Sequence, residues 1–171
     1  MEQPDESSQA KLQYAERVSN ALEWFKHARS LLAAARSTRE RAAVLIDHFE
    51  RSDLENVASM LYGFSLENLF KAQWILKKFG PPDREGWAPV AEFPKELKTH
   101  NLAHLAKLVD PRLPDEFSAL FYFLTEAATW SGRYPCTLFP EDGGAQARWP
   151  ALNDQAEEVF KRFSREFTAF A

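Results

Sequence analysis

A chain of 171 residues that is 45% hydrophobic, with 14 Phe, 5 Trp and 4 Tyr, has the material for one packed core of ordinary domain size, which excludes the disordered, collagen-like and low-complexity classes. Its net charge of −4, from 21 basic and 25 acidic residues, argues against a protein whose main task is to coat nucleic acid and leaves a local basic face open. The longest run without Asp, Glu, Lys or Arg is the eleven residues 56–66, too short for a span of about 20 apolar residues, so no membrane partner is expected.

Residues 1–10 are polar and acidic and read as a flexible start, with no apolar run to act as a secretory signal. One cysteine, Cys136, allows no internal disulfide, and the expected compartment is cytoplasmic. Residues 11–171 read as a single helical domain. Over residues 11–36 the apolar side chains Ala15, Val18, Leu22, Phe25, Leu32 and Ala35 recur every three or four positions, which stripes one side of a helix. Residues 40–51 repeat the pattern with Ala42, Leu45, Ile46 and Phe49. Ser52 and Glu55 form a capping box that predicts the start of a new helix, ending at Phe79 before Gly80, Pro81 and Pro82. A short helix is expected from Thr99 to about Val109. Another runs from Pro114 to Trp130 with Phe117, Leu120, Phe121, Leu124 and Ala128 inward, and a last one covers residues 154–170. Residues 80–98 and 131–153 are long connections rich in aromatics and prolines, expected as ordered covers. The predicted fold class is all-α, an antiparallel bundle of about five helices with two long ordered loops.

The helix that ends at Phe79 is apolar on nearly all sides, as a helix in the middle of a bundle must be. Glu67 and Lys71 interrupt it, four apart with the acid on the N-terminal side, the orientation that favours contact between them. A buried charge without a partner costs about 3 to 5 kcal/mol, so either these two are paired or one flank of the helix reaches water.

The run ENLFKA from Glu67 to Ala72, HNL from His100 to Leu102 with Leu105 beyond it, and WSGRYP from Trp130 to Pro135 resemble, in this order, the HEPN superfamily (higher eukaryotes and prokaryotes nucleotide-binding). The resemblance spans residues 58–135. It implies a helical bundle, frequent homodimers, and members that are either metal-independent ribonucleases of prokaryotic toxin–antitoxin and defence systems or non-catalytic modules associated with nucleotides and RNA. A nucleotidyltransferase-like protein is a partner consistent with it. The chain departs from the family's ribonuclease pattern, an Arg four to six residues before a His in a late helix, because no histidine follows His104. Arg41 and His48 show a similar spacing on an early helix, where a seven-residue offset would put them on one face; their alternative reading is a solvated surface.

The candidate site is therefore a polar cluster of Glu67, Lys71, His100, Arg133 and Tyr134. If Arg133 pairs with Glu67, the cluster is structural and holds the late loop to the bundle. If Arg133, Lys71 and His100 face a cavity, they make an anion pocket for a nucleotide or an RNA phosphate. Other chemistry is thinner. His100 and His104 lie four apart, a spacing that can hold zinc, but the further ligands of a tetrahedral site are missing from the neighbourhood, and no metal or cofactor is expected. Lys26, Arg29, Arg36, Arg39 and Arg41 form a basic stretch that can touch phosphates or simply be solvated. Trp24, Trp74, Tyr122 and Phe123 fall off the main stripes, a surplus of apolar surface that, with the resemblance, predicts a homodimer.

Overall fold

The structure, a computed structural model, describes residues 6–134 and 150–170. Every regular element among the described residues is helical: α1 (Glu6–Ser19), α2 (Ala21–Ala43), α3 (His48–Phe79), α4 (Leu102–Val109), α5 (Leu113–Glu116), α6 (Ser118–Glu126) and α7 (Pro150–Ser164). The all-α class holds. None of these helices is long and apolar enough to cross a membrane.

The helix expected over 11–36 is two helices. Asn20 adopts an extended conformation (φ −91°, ψ 102°) and its side chain accepts from the Leu22 amide at 3.0 Å, which starts α2 and ends α1. Helix already begins at Glu6, within the ten residues expected as a flexible start. The next boundary also moves. α2 runs to Ala43, where a helix was expected to be starting, and the break falls at residues 44–47. Asp47 is the reason: its carboxylate accepts from the amides of Phe49 and Glu50 at 2.8 and 2.9 Å and caps α3 five residues ahead of the predicted Ser52. Residues 52–55 therefore lie inside α3, and the helix expected over 40–51 is replaced by the end of α2, a turn and the first turn of α3.

α2 and α3, joined by that short turn, form the central hairpin. α2 presents Ala21, Phe25, Ala28, Leu32, Ala35 and Ala42 to the core, and four alanines in six positions let the helices lie close. Ser65 of α3 donates to the Ala28 carbonyl at 2.9 Å, which satisfies a buried hydroxyl at that contact. α3 is buried on several sides, with Ala58, Tyr62, Leu66, Leu69, Phe70, Ala72 and Ile75 inside. Gly63 is required where α3 meets α6, because a Cβ there would sit 2.7 Å from the Leu124 carbonyl oxygen.

Phe117 divides the expected 114–130 helix into α5 and α6, and α6 ends in a π turn, Ala127–Ser131, marked by the Gly132 amide donating to the Ala127 carbonyl five residues back at 3.1 Å. α7 starts at Pro150, ahead of the predicted Asp154, and buries Leu152, Ala156, Val159 and Phe160. Phe167 follows in a 3-10 tail and stacks on Phe25 with centroids 4.4 Å apart.

The segment 80–98 is an ordered cover, as expected. Gly80 (φ 77°) ends α3 in a conformation that suits glycine. Further on, the Val90 amide donates to Ser19 Oγ at 2.7 Å, Phe93 packs edge-on to Trp24 at 5.7 Å, and Leu97 is fully buried. Of the other expected cover, residues 135–149, with Cys136, lie outside the described residues.

Candidate functional site

Glu67 and Lys71 share one face of α3 and are both buried, 5% and 6% exposed. Lys71 Nζ donates to Glu67 Oε1 at 2.7 Å. The flank of the helix that carries them does not reach water; it lies against α2 and the 80–98 cover. Lys71 Nζ is 5.7 Å from the Trp24 ring centroid and 6.0 Å from that of Phe93, so the ammonium sits between a carboxylate and two aromatic rings that are edge-to-face with one another. Trp24 is itself held by its indole N–H, which donates to the Val18 carbonyl at 3.1 Å.

The second carboxylate oxygen of Glu67 is taken by a residue 33 positions away, His100, whose Nδ1 lies 2.9 Å from Oε2. His100 is aimed by the start of α4: Asn101 caps it by accepting from the His104 amide at 2.9 Å, and Thr99 Oγ1 accepts from the Asn101 amide at 3.0 Å. The imidazole side chain is 55% exposed, so one end of the ring is committed to a buried acid while much of the ring faces solvent. A carboxylate facing Nδ1 places the N–H there and fixes the tautomer of the neutral ring.

Arg133 does not pair with Glu67, so the first of the two alternatives, in which it anchors the late loop to the bundle, does not hold. Both oxygens of Glu67 are already engaged, and the backbone holds Arg133 elsewhere. Gly132 follows the π turn and packs so tightly on Met60 that a Cβ would collide with the Met60 side chain. The next residue thus lands over Phe64, one turn before Glu67, with the guanidinium carbon 4.9 Å from the ring centroid. His100 is edge-on to the same ring at 6.4 Å. Arg133 and His100 thus share Phe64. Tyr134 is exposed, 6.2 Å from the Trp130 ring, and belongs to the edge of this surface.

The predicted cluster is therefore layered. Glu67, Lys71 and His100 touch, Arg133 joins through an aromatic ring, and Tyr134 stands beside it. Lys71 is buried and enclosed by Glu67, Trp24 and Phe93, so it does not reach the surface on which His100 and Arg133 lie side by side. What the outer layer offers is an exposed imidazole, a ring and a guanidinium side by side.

Arg41 and His48 are not on one helical face, because the turn at 44–47 puts Arg41 in the last turn of α2 and His48 at the start of α3. His104 is exposed, and among the described residues no three His, Cys, Asp or Glu side chains are grouped to hold a metal. The basic stretch is largely paired with acids: Lys26 with Glu23 at 2.7 Å, Arg36 with Glu157 through Nε at 2.8 Å, and Arg39 with Asp154 at 2.7 Å.

Those last two pairs belong to a second polar cluster that sequence reasoning missed. The Tyr62 hydroxyl donates to Glu157 Oε1 at 3.0 Å, so α2, α3 and α7 meet in one network. Burial pushes the Glu157 carboxyl up, but hydrogen bonds from Arg36 and Tyr62 and the charges of Arg36 and Arg39 outweigh it and hold the group below the ordinary 4.5. Burial, followed by the neighbouring Glu157 charge, pushes the Tyr62 phenol up. Elsewhere Arg112, hydrogen-bonded to both oxygens of Asp110, lowers that carboxyl to about 2. Partners more than 90 residues apart carry no local spacing signal, whereas the off-stripe position of Trp24 is the one sequence clue to the rings around Lys71.

No protein-family model, curated protein or solved structure matches the chain.

Proposed function

We propose that this chain is a non-catalytic, HEPN-like binding module, homodimeric and cytoplasmic, that takes a nucleotide or single-stranded RNA on the surface formed by His100, Phe64, Arg133 and Tyr134. The observation that carries the reading is the shared ring: His100 and Arg133 flank Phe64 at 6.4 and 4.9 Å. Unpaired bases stack on aromatic and guanidinium planes, and an Arg fork or a protonated imidazole receives the phosphate. The buried Glu67 and Lys71 are the foundation of that surface and not its ligands. A prokaryotic toxin–antitoxin setting with a nucleotidyltransferase-like partner fits the resemblance in the ENLFKA, HNL and WSGRYP runs.

Fluorescence anisotropy with a short single-stranded RNA and with mononucleotides tests this. Arg133→Ala is expected to weaken RNA binding about tenfold or more, the scale of one stacked base, with affinity falling as salt rises. No binding by the wild-type chain, or equal binding by Arg133→Ala, would overturn it.

One observation favours a second reading. A buried carboxylate on Nδ1 of an exposed histidine is an arrangement suited to general acid–base work, and it supports a divergent metal-independent ribonuclease with His100 in place of the Arg41 and His48 pair. RNA cleavage by the wild type that disappears in His100→Gln would replace the binding reading with this one. Intact RNA after prolonged incubation would remove it.

A further inference from the structure

Three of the four most exposed large apolar side chains among the described residues sit together at the turn between α2 and α3: Ile46 at 92%, Phe49 at 84% and Val44 at 69%. The turn is preformed, since Asp47 caps α3 and Arg51 Nε donates back to the Leu45 carbonyl at 3.1 Å. It is a rigid apolar knob, with the exposed carboxylates of Asp47 and Glu50 beside it.

The same molecule carries a complementary hollow. Between α2 and α7 lies a groove of about 750 Å³ whose lining includes the apolar Phe25, Leu32, Ala33 and Phe160 and the cations Arg29 and Lys161. Groove and knob are connected along α2. Arg29, Ala33, Arg36, Glu40 and Val44 follow each other at helical spacing along α2, so the exposed stripe that forms the groove wall runs directly into the knob, about 16 Å from Ala33 to Val44 at 1.5 Å per residue.

We infer that the occupant of the groove is the knob of a second copy of this chain, and reciprocally, with the two α2 helices antiparallel about a two-fold axis that passes between Arg36 and Glu40. A knob and a groove on opposite faces would join copies head to tail into an open chain, whereas a shared face lets both seats close in one dimer. Charge agrees with the seating: Arg36 stays with Glu157, and Arg29 and Lys161 outnumber the remaining acid of the groove, Glu158, so the groove is net positive where Asp47 and Glu50 of the knob arrive. The doubled seat removes Ile46, Phe49 and Val44 of both copies from water, the core of contact that a small knob alone could not supply. This rests on the homodimeric part of the proposed function and names its interface, which lies apart from the His100 and Arg133 surface.

Sedimentation velocity of the full chain at micromolar concentration tests it, beside the double variant Ile46→Asp with Phe49→Asp and the groove variant Ala33→Arg. All three substitutions are at exposed positions, so circular dichroism spectra should match the wild type, and the thermal midpoints should converge on dilution as the wild-type dimer dissociates. The expected result is a wild-type mass of two copies with no larger species, and a dimer dissociation constant raised about a hundredfold in either variant. Mixing the two variants leaves one intact seat of the two, so a heterodimer tighter than either variant's homodimer and weaker than the wild-type dimer is expected. A monomeric wild type would sink both the dimer and its interface. A wild-type dimer indifferent to either variant would sink the interface alone, and growth beyond two copies would sink the reciprocal closure.

Discussion

The two polar clusters differ in where their charges stand, and that decides what each contributes. Glu67 and Lys71 sit on a single helix, nine-tenths buried, with every polar end spoken for by a carboxylate, an ammonium, an imidazole or a ring. Arg36, Arg39, Asp154 and Glu157 join α2 to α7 across more than a hundred residues of sequence, but Arg39 and Asp154 are 37% and 67% exposed and share their solvation with water. The first cluster is dangerous to break and unremarkable to replace whole. The second is forgiving to break and costs little to keep.

Urea unfolding sharpens that comparison. Glu67→Ala, the largest expected effect, strands the Lys71 ammonium among Trp24 and Phe93 and should cost about 3 to 5 kcal/mol. Adding Lys71→Met to Glu67→Leu should recover most of that loss, since a packed apolar pair of similar volume is often no worse than a buried ion pair. A double variant as unstable as Glu67→Ala would show that the cluster contributes more than mutual neutralisation. Acid titration probes the other cluster. The Glu157 carboxyl is held below its ordinary value, so its contribution is complete above about pH 4.5 and is lost as pH falls through the lowered value. The stability gap between wild type and Glu157→Gln should therefore close on acidification below about pH 4.5 and stay constant above it. The smallest effect is Arg39→Ala, about 0 to 1 kcal/mol, because its partner is mostly in water.

The sequence made some of this legible and hid the rest for physical reasons. Apolar periodicity identified the all-helical class and the central place of α3, and the four-residue offset of Glu67 and Lys71 made their pairing one of two open readings, because those follow from a repeat of three to four along one segment. The start of α3 was misplaced because Ser52 and Glu55 match a capping box in sequence, whereas the cap that forms is Asp47, at the turn where the apolar stripe of α2 has run out. His100 was grouped with Glu67 only as a polar-cluster hypothesis, since nothing local to either residue announces contact across 33 positions. Arg133 was aimed one turn too far, because a π turn has no strong residue preference and shifts everything after it.

That turn has a consequence for how the outer surface is inherited. A π turn carries one residue more than the α turn whose place it takes, and the Gly132 amide reaches back five residues, not four. The guanidinium over Phe64 is therefore positioned by a count of residues as much as by their identity. A relative that kept every side chain but lost one position between Ala127 and Ser131 would swing its arginine by roughly 100° about the helix axis, away from the ring, while its core packed as before.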